Sequence, residues 1–235
     1  MKRSSWIFSI LFVLVLAIVA PALASDGELE AAKLEKPFSF SGSLKFDLYA
    51  PKGQPAFTEY GVSLYAHRKL NKDWGLGIGA DQWGGTDKQQ SNHWTARPFA
   101  TVNWKQFYGI AGYSVDTRKT GDNHMFFGMW YIDKIGRFDI LLDSRYYASQ
   151  NKRLSDFVDI FGEVKFALND TYKIGVVGEY IGWFGKDRGH NWSFAAIEGE
   201  RKFQGFSLGL RPGIAWDMTP KGTVPTFWLR TYCTF

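Results

Sequence analysis

From Pro37 onward, apolar and polar positions alternate with a period of two, the signature of strands with two different faces. In "PFSFSGSLKFDLYA", Phe38, Phe40, Leu44, Phe46 and Leu48 share one parity, and Ser39, Ser41, Ser43, Lys45, Asp47 and Tyr49 take the other. "TEYGVSLYAHRKL" sets Tyr60, Val62, Leu64 and Ala66 against Glu59, Ser63, Tyr65 and His67. "WGLGIGADQW" sets Trp74, Leu76, Ile78 and Ala80 against Gly75, Gly77, Gly79 and Asp81, and "HWTARPFATVNW" sets Trp94, Ala96, Ala100, Val102 and Trp104 against Thr95, Arg97, Thr101 and Asn103. The pattern recurs as far as "PTFWLRTYCTF". It makes about twelve segments, each near the roughly 10 residues that a tilted strand needs to cross a bilayer.

The connections alternate as well. Short turns at "LNKD", "KQ", "KIG", "LND" and "KFQG" take turns with longer polar loops at "PKGQPAF", "GTDKQQSN", "RKTGDN", "QNKRLSD", "GKDRGHN" and "TPKGTV". Short periplasmic turns and longer outer loops are what an up-and-down membrane barrel requires. The predicted fold is all-β: a transmembrane antiparallel up-and-down β-barrel of about 12 strands over residues 37–235, with 10 or 14 strands as the alternatives.

Alternation alone also fits a soluble barrel with its apolar face inward. Two features favour the membrane. A twelve-stranded barrel is wider than the eight-stranded size that side chains just fill, so an apolar interior would leave a void. Trp74, Trp94, Trp104, Phe107, Tyr172 and Phe203 stand at segment ends, while Ala100, Val176 and Ile197 stand mid-segment, as in an interfacial aromatic girdle. Pro98 and Pro212 fall inside strands and predict a bulge near each, because proline removes a ladder hydrogen bond. Trp192 and Phe194 share parity with Glu198 and Glu200, which predicts a phase-changing bulge near Ala195–Ala196 that puts the aromatics in lipid and the carboxylates in the lumen.

Counting back from Phe235, Cys233, Thr231, Leu229 and Phe227 share its face. This segment resembles the C-terminal strand of bacterial outer-membrane β-barrel proteins. The resemblance implies that Phe227, Leu229 and Phe235 form the signal read by the outer-membrane insertion machinery, which becomes an expected partner. Thr231 and Cys233 are less apolar than that class shows, and Tyr232 stands in the opposite phase.

The N-terminus agrees. Lys2 and Arg3 precede the apolar run Ile7–Ala20, and small residues follow at Ala22 and Ala24. This predicts a secretory signal peptide over 1–24. The run is shorter than the roughly 20 residues of a spanning helix. Residues 25–36 are expected to be a short periplasmic segment, either a helical turn capped by Ser25 and Glu28 or a tail. The composition adds 17% aromatics, 25 Gly and 10 Trp, which suits sheets and tight turns. One cysteine, Cys233, leaves no intrachain disulfide, and four scattered histidines predict no metal site; no cofactor is expected. The net charge of +5 includes Lys2 and Arg3, too weakly basic a balance for nucleic-acid binding.

The polar parity carries the candidate chemistry. It places Lys45, Asp47, Glu59, Asp81, Arg97 and Asp116 in the lumen, with Arg137, Asp139, Asp143 and Arg145 on one strand and Asp159, Glu163 and Lys165 on the next. Lys173, Glu179, Glu198, Glu200, Lys202, Arg211, Asp217 and Arg230 complete the set. Interleaved signs fit either a charge-lined channel for small polar solutes or a lumen bridged shut in a structural or surface-interaction barrel. A lipid-modifying rim enzyme is the third reading. It would need a nucleophile and base on one face, for which Ser91 with His93 and Asp122 with His124 have the spacing and His190 with Ser193 does not. No catalytic residue is predicted. Loop cations such as Lys52, Lys88, Arg118, Lys152, Lys186 and Lys221 suit contact with lipopolysaccharide phosphates around a monomeric barrel.

Overall fold

A computed structural model of the chain describes residues 38–86, 93–117, 123–151, 155–185 and 189–235. The expected signal peptide and the segment 25–36 lie outside the described residues. Twelve strands follow in order: β1 (Phe38–Pro51), β2 (Phe57–Lys69), β3 (Trp74–Gly85), β4 (His93–Trp104), β5 (Phe107–Asp116), β6 (His124–Ile135), β7 (Phe138–Ser149), β8 (Phe157–Ala167), β9 (Tyr172–Trp183), β10 (Asn191–Lys202), β11 (Ser207–Thr219) and β12 (Gly222–Thr234). Each pairs antiparallel with its sequence neighbours, and β1 pairs with β12 to close the ring. Closure extends one step past the last strand residue: the Gly42 N–H donates to the Phe235 carbonyl at 2.8 Å, and the Phe235 N–H donates back at 3.0 Å. The terminal aromatic is thus a paired member of the ladder.

One end of the barrel carries tight connections at 70–73, 105–106, 136–137, 168–171 and 203–206, and the other carries the loops. Local chemistry builds the tight end. Asn71 accepts hydrogen bonds from the backbone of Asp73 and Trp74, and Asn169 does the same for Thr171 and Tyr172. Such side-chain acceptors stand in for backbone partners in a turn. The expected loop at 219–224 is instead a tight hairpin. Thr219 pairs with Gly222, and Pro225 lies inside β12. That proline presents no obstacle because its missing N–H falls near a strand end.

The outer wall is apolar and exposed, with Phe46, Phe127, Leu142, Val176, Ile197 and Ile214 all open on it. So continuous an apolar surface is not sustained in water and calls for hydrocarbon around it. Ring pairs mark its tight-turn margin: Trp104–Phe107 at 6.0 Å, Phe107–Tyr131 at 5.1 Å, Phe138–Phe166 at 5.1 Å and Phe203–Phe206 at 4.7 Å between centroids.

The three expected bulges are absent. Pro98 pairs with Ile78 and Pro212 with Leu229 in unbroken register. On the other side, the ladder skips the proline and resumes unshifted at Phe99↔Gly112 and at Gly199↔Leu210. A residue in an antiparallel ladder donates to only one neighbour, so each proline costs one bond and leaves the register intact. β10 likewise runs without a phase change from Asn191↔Gly182 to Arg201↔Tyr172. Phe194 and Trp192 therefore face inward with Glu198 and Glu200, and Phe194 is buried against Trp228. The lumen accepts aromatic rings, so no bulge is required to expel them.

Candidate functional site

The lumen is filled in two sectors. On β8 to β12, a charged network is built across non-adjacent strands. Lys165 on β8 reaches Glu163 at 2.9 Å, Glu198 at 3.1 Å and Glu200 at 2.6 Å. Arg211 on β11 bonds Glu163 at 2.5 Å and Glu198 at 2.9 Å, and lies 4.5 Å above the Tyr232 ring. The Tyr232 hydroxyl donates to Glu198 and lies 3.3 Å from Glu200. The Glu163–Arg211 bond spans β9 and β10.

Glycines make these reaches possible. Gly175 on β9 stands between Lys165 and Glu198 in the ladder, and a Cβ there would come within 3.0 Å of Lys165 Cγ. Gly209 on β11 stands between Glu200 and Tyr232, and a Cβ there would overlap the Tyr232 ring. The two inward glycines are gaps through which a long side chain crosses its neighbour strand.

Asp47 and Arg230 close the seam between β1 and β12 with a bidentate pair, 2.7 and 2.8 Å, and Asp47 is 0% exposed. A carboxylate so far from water must be paired, since breaking a buried pair strands its charge. On β3 and β4, Asp81 pairs with Arg97 beside Tyr65, whose hydroxyl lies 3.2 Å from Asp81. Asp143 and Arg145 pair along β7 as same-face neighbours at 2.5 and 2.9 Å, with the guanidinium 5.2 Å over Trp130. Asp139 and Lys173 pair at 2.7 Å toward the tight-turn end.

Between the charges lie two apolar clusters, Phe99–Ile110–Phe126–Tyr147 and Tyr49–Val177–Phe194–Ala196–Ala215–Trp228. Parity alone did mark these rings: Trp228 and Tyr232 share parity with Arg230, and Phe194 with Glu198. The opposite phase of Tyr232 is explained by its bond to Glu198.

Toward the loop end the lumen holds a cavity of about 480 Å³, bounded by Tyr49, Phe57, Glu59, Trp83, Glu179, Trp183, Trp192, Asp217 and Arg230 among others. Lys45 lies behind it, its ammonium 5.5 Å over the Trp83 ring.

The remaining expected lumen residues fall as follows. Asp159 lies on the inward parity of β8, with Oδ1 buried and lacking a hydrogen-bond partner among the described residues. Asp116 stands at the loop end of β5, its N–H bonded to Asn123. Lys202 is exposed at the end of β10. Arg137 is a correction: it belongs to the turn between β6 and β7, donates to the Leu168 carbonyl and stacks 4.8 Å over Phe166. Strand parity cannot place a turn residue.

His124 packs edge-on to Tyr147 and Phe157 at 6.3 and 5.2 Å. Ser91 and Asp122 lie outside the described residues. His67, which alternation had put on the inward face, sits 2.9 Å from Thr101 Oγ1. Among the described residues no group of three or more His, Cys, Asp or Glu is arranged to hold a metal ion.

No family model matches the chain, and no curated protein matches it. Solved structures do. The NanC porin is 9% identical over 82% of this chain and 98% of its own, with a TM-score of 0.54. The translocator domain of the autotransporter NalP from Neisseria meningitidis is 10% identical over 100% of this chain and 99% of its own, with a TM-score of 0.52. At such identities the likeness is one of fold: the chain has the fold of bacterial outer-membrane β-barrels.

Proposed function

We propose that the protein resides in the bacterial outer membrane, reached by Sec export, and forms a narrow channel for small polar or charged solutes. The tight turns face the periplasm and the loops face outward. The observation that carries this reading is residual exposure in the charged lumen. Arg145 and Asp143 keep 15% and 19% of their side-chain surface, and Arg97 keeps 18%. Water therefore reaches charges that the strands hold inside an apolar wall. The likeness of fold to the NanC porin supports a channel, while the NalP domain of similar fold is a translocator domain, so fold alone does not choose.

A second reading, a barrel plugged by its own side chains, is favoured by Trp228 and Asp47 at 0% exposure and Glu198 at 1%. Single-channel recording in a planar bilayer separates the two. A channel gives small discrete conductance steps in the wild type, and Arg211→Ala, which removes a cation from the charged network on β8 to β12, shifts the ion preference toward cations. A silent wild type with conductance appearing in Arg211→Ala overturns the channel in favour of the plug.

A further inference from the structure

The loop-end cavity differs in character from the lumen beneath it. Three of its walls are Trp83, Trp183 and Trp192, and three carboxylates, Glu59, Glu179 and Asp217, border it. Its one lining cation, Arg230, is already held by both oxygens of Asp47. Counting Lys45 behind Trp83, the acids Asp47, Glu59, Glu179 and Asp217 still outnumber the bases. The Lys45 ammonium lies over the Trp83 ring, so this ring already holds a cation of the protein itself.

We propose that this cavity binds a compact organic cation of the quaternary or primary ammonium class. Tryptophan is the strongest aromatic partner for a cation, and nearby carboxylates add long-range attraction that a partly desolvated pocket screens weakly. A space of about 480 Å³ exceeds what such a guest fills and falls within the range of small-molecule sites. An anionic solute would meet three carboxylates, and a neutral sugar would gain no charge attraction from them. The site rests on the lumen's loop end being open, not on whether the lumen beneath it conducts.

The test is a titration of the folded full barrel in detergent micelles, followed by intrinsic tryptophan fluorescence. Choline is the probe, and its neutral isostere 3,3-dimethyl-1-butanol, glucose and glucuronate are the comparators. Saturable binding of choline, at least about fivefold tighter than the isostere, is expected. Asp217→Asn and Glu179→Gln should each weaken choline and leave the isostere unchanged. Asp217 is exposed at a strand end, so its variant keeps the test alive if Glu179→Gln fails to fold, with heat-resistant gel migration as the check on folding. Equal binding of choline and isostere, preference for glucose or glucuronate, or no binding to a folded barrel overturns the proposal. Choline binding by a barrel that passes no ions would overturn the channel and leave this site standing; conduction without choline binding would do the reverse.

Discussion

The ion pairs of the lumen are not equal, and their burial ranks them. Asp47 is fully buried and Arg230 nearly so, whereas Asp139 and Lys173 keep 33% and 29% of their side-chain surface. Removing one partner of a buried pair costs about 3–5 kcal/mol, while an exposed pair contributes about 0–1 kcal/mol. Arg230→Ala should therefore lower the urea midpoint of the refolded barrel markedly, and Lys173→Ala should leave it nearly unchanged. At the loop end, Asp156 accepts from the Tyr146 hydroxyl at 2.6 Å and the Ser149 N–H at 2.8 Å, which hold its carboxyl below the usual carboxylate range. A lowered folded-state pKa contributes stability above the unfolded pKa that is lost as pH falls through the folded value. The stability gap between wild type and Asp156→Asn should be full at neutral pH and should vanish in acid, as followed by pH-dependent denaturation. Parity assigns each strand charge to a face because strand geometry alternates the faces. It could not say which charges pair, since partners such as Glu163 and Arg211 stand three strands apart.

At the scale of the element, the departures from expectation share one cause: the strands are more regular than local chemistry suggests. The prolines and the aromatic start of β10 each looked like a break, and the ladder absorbed all three. What regular strands cannot supply is space for side chains that cross them, and glycine supplies it. Gly209→Ala tests this directly. The added methyl reduces unfolded-chain freedom by about 0.4–1 kcal/mol, but its overlap with Tyr232 costs about 1–3 kcal/mol, so the net effect is destabilising. Pairing Gly209→Ala with Tyr232→Phe should not restore stability, because the ring remains; pairing it with Tyr232→Ala should remove the clash. Double-mutant denaturation curves decide between these outcomes. The abundance of glycine was visible in the composition. Its purpose was not, because a gap has meaning only once the neighbours in register are known.

For the whole molecule, strand number, closure and the lipid-facing side were legible, because twelve alternating segments admit few arrangements. The hairpin at 219–222 was not, because its residues read as loop until β11 and β12 are paired. Phe235 bonds Gly42 through both backbone groups, and its ring covers Gly42, where a Cβ would stand 2.6 Å away. Deleting Phe235 removes that last rung together with the proposed insertion signal, and the expected outcome is loss of heat-modifiable barrel from outer-membrane fractions. The Asp47–Arg230 pair bears on the same step from another side. Its members are 183 residues apart and meet only when the first strand finds the last. A slip of two residues between β1 and β12 would keep every side chain on its proper face, so the hydrophobic pattern cannot detect it. It would, however, set Asp47 against Trp228 or Tyr232, with no cation for its charge. The pair thus serves as a checksum on ring closure, rejecting misaligned rings that lipid would accept.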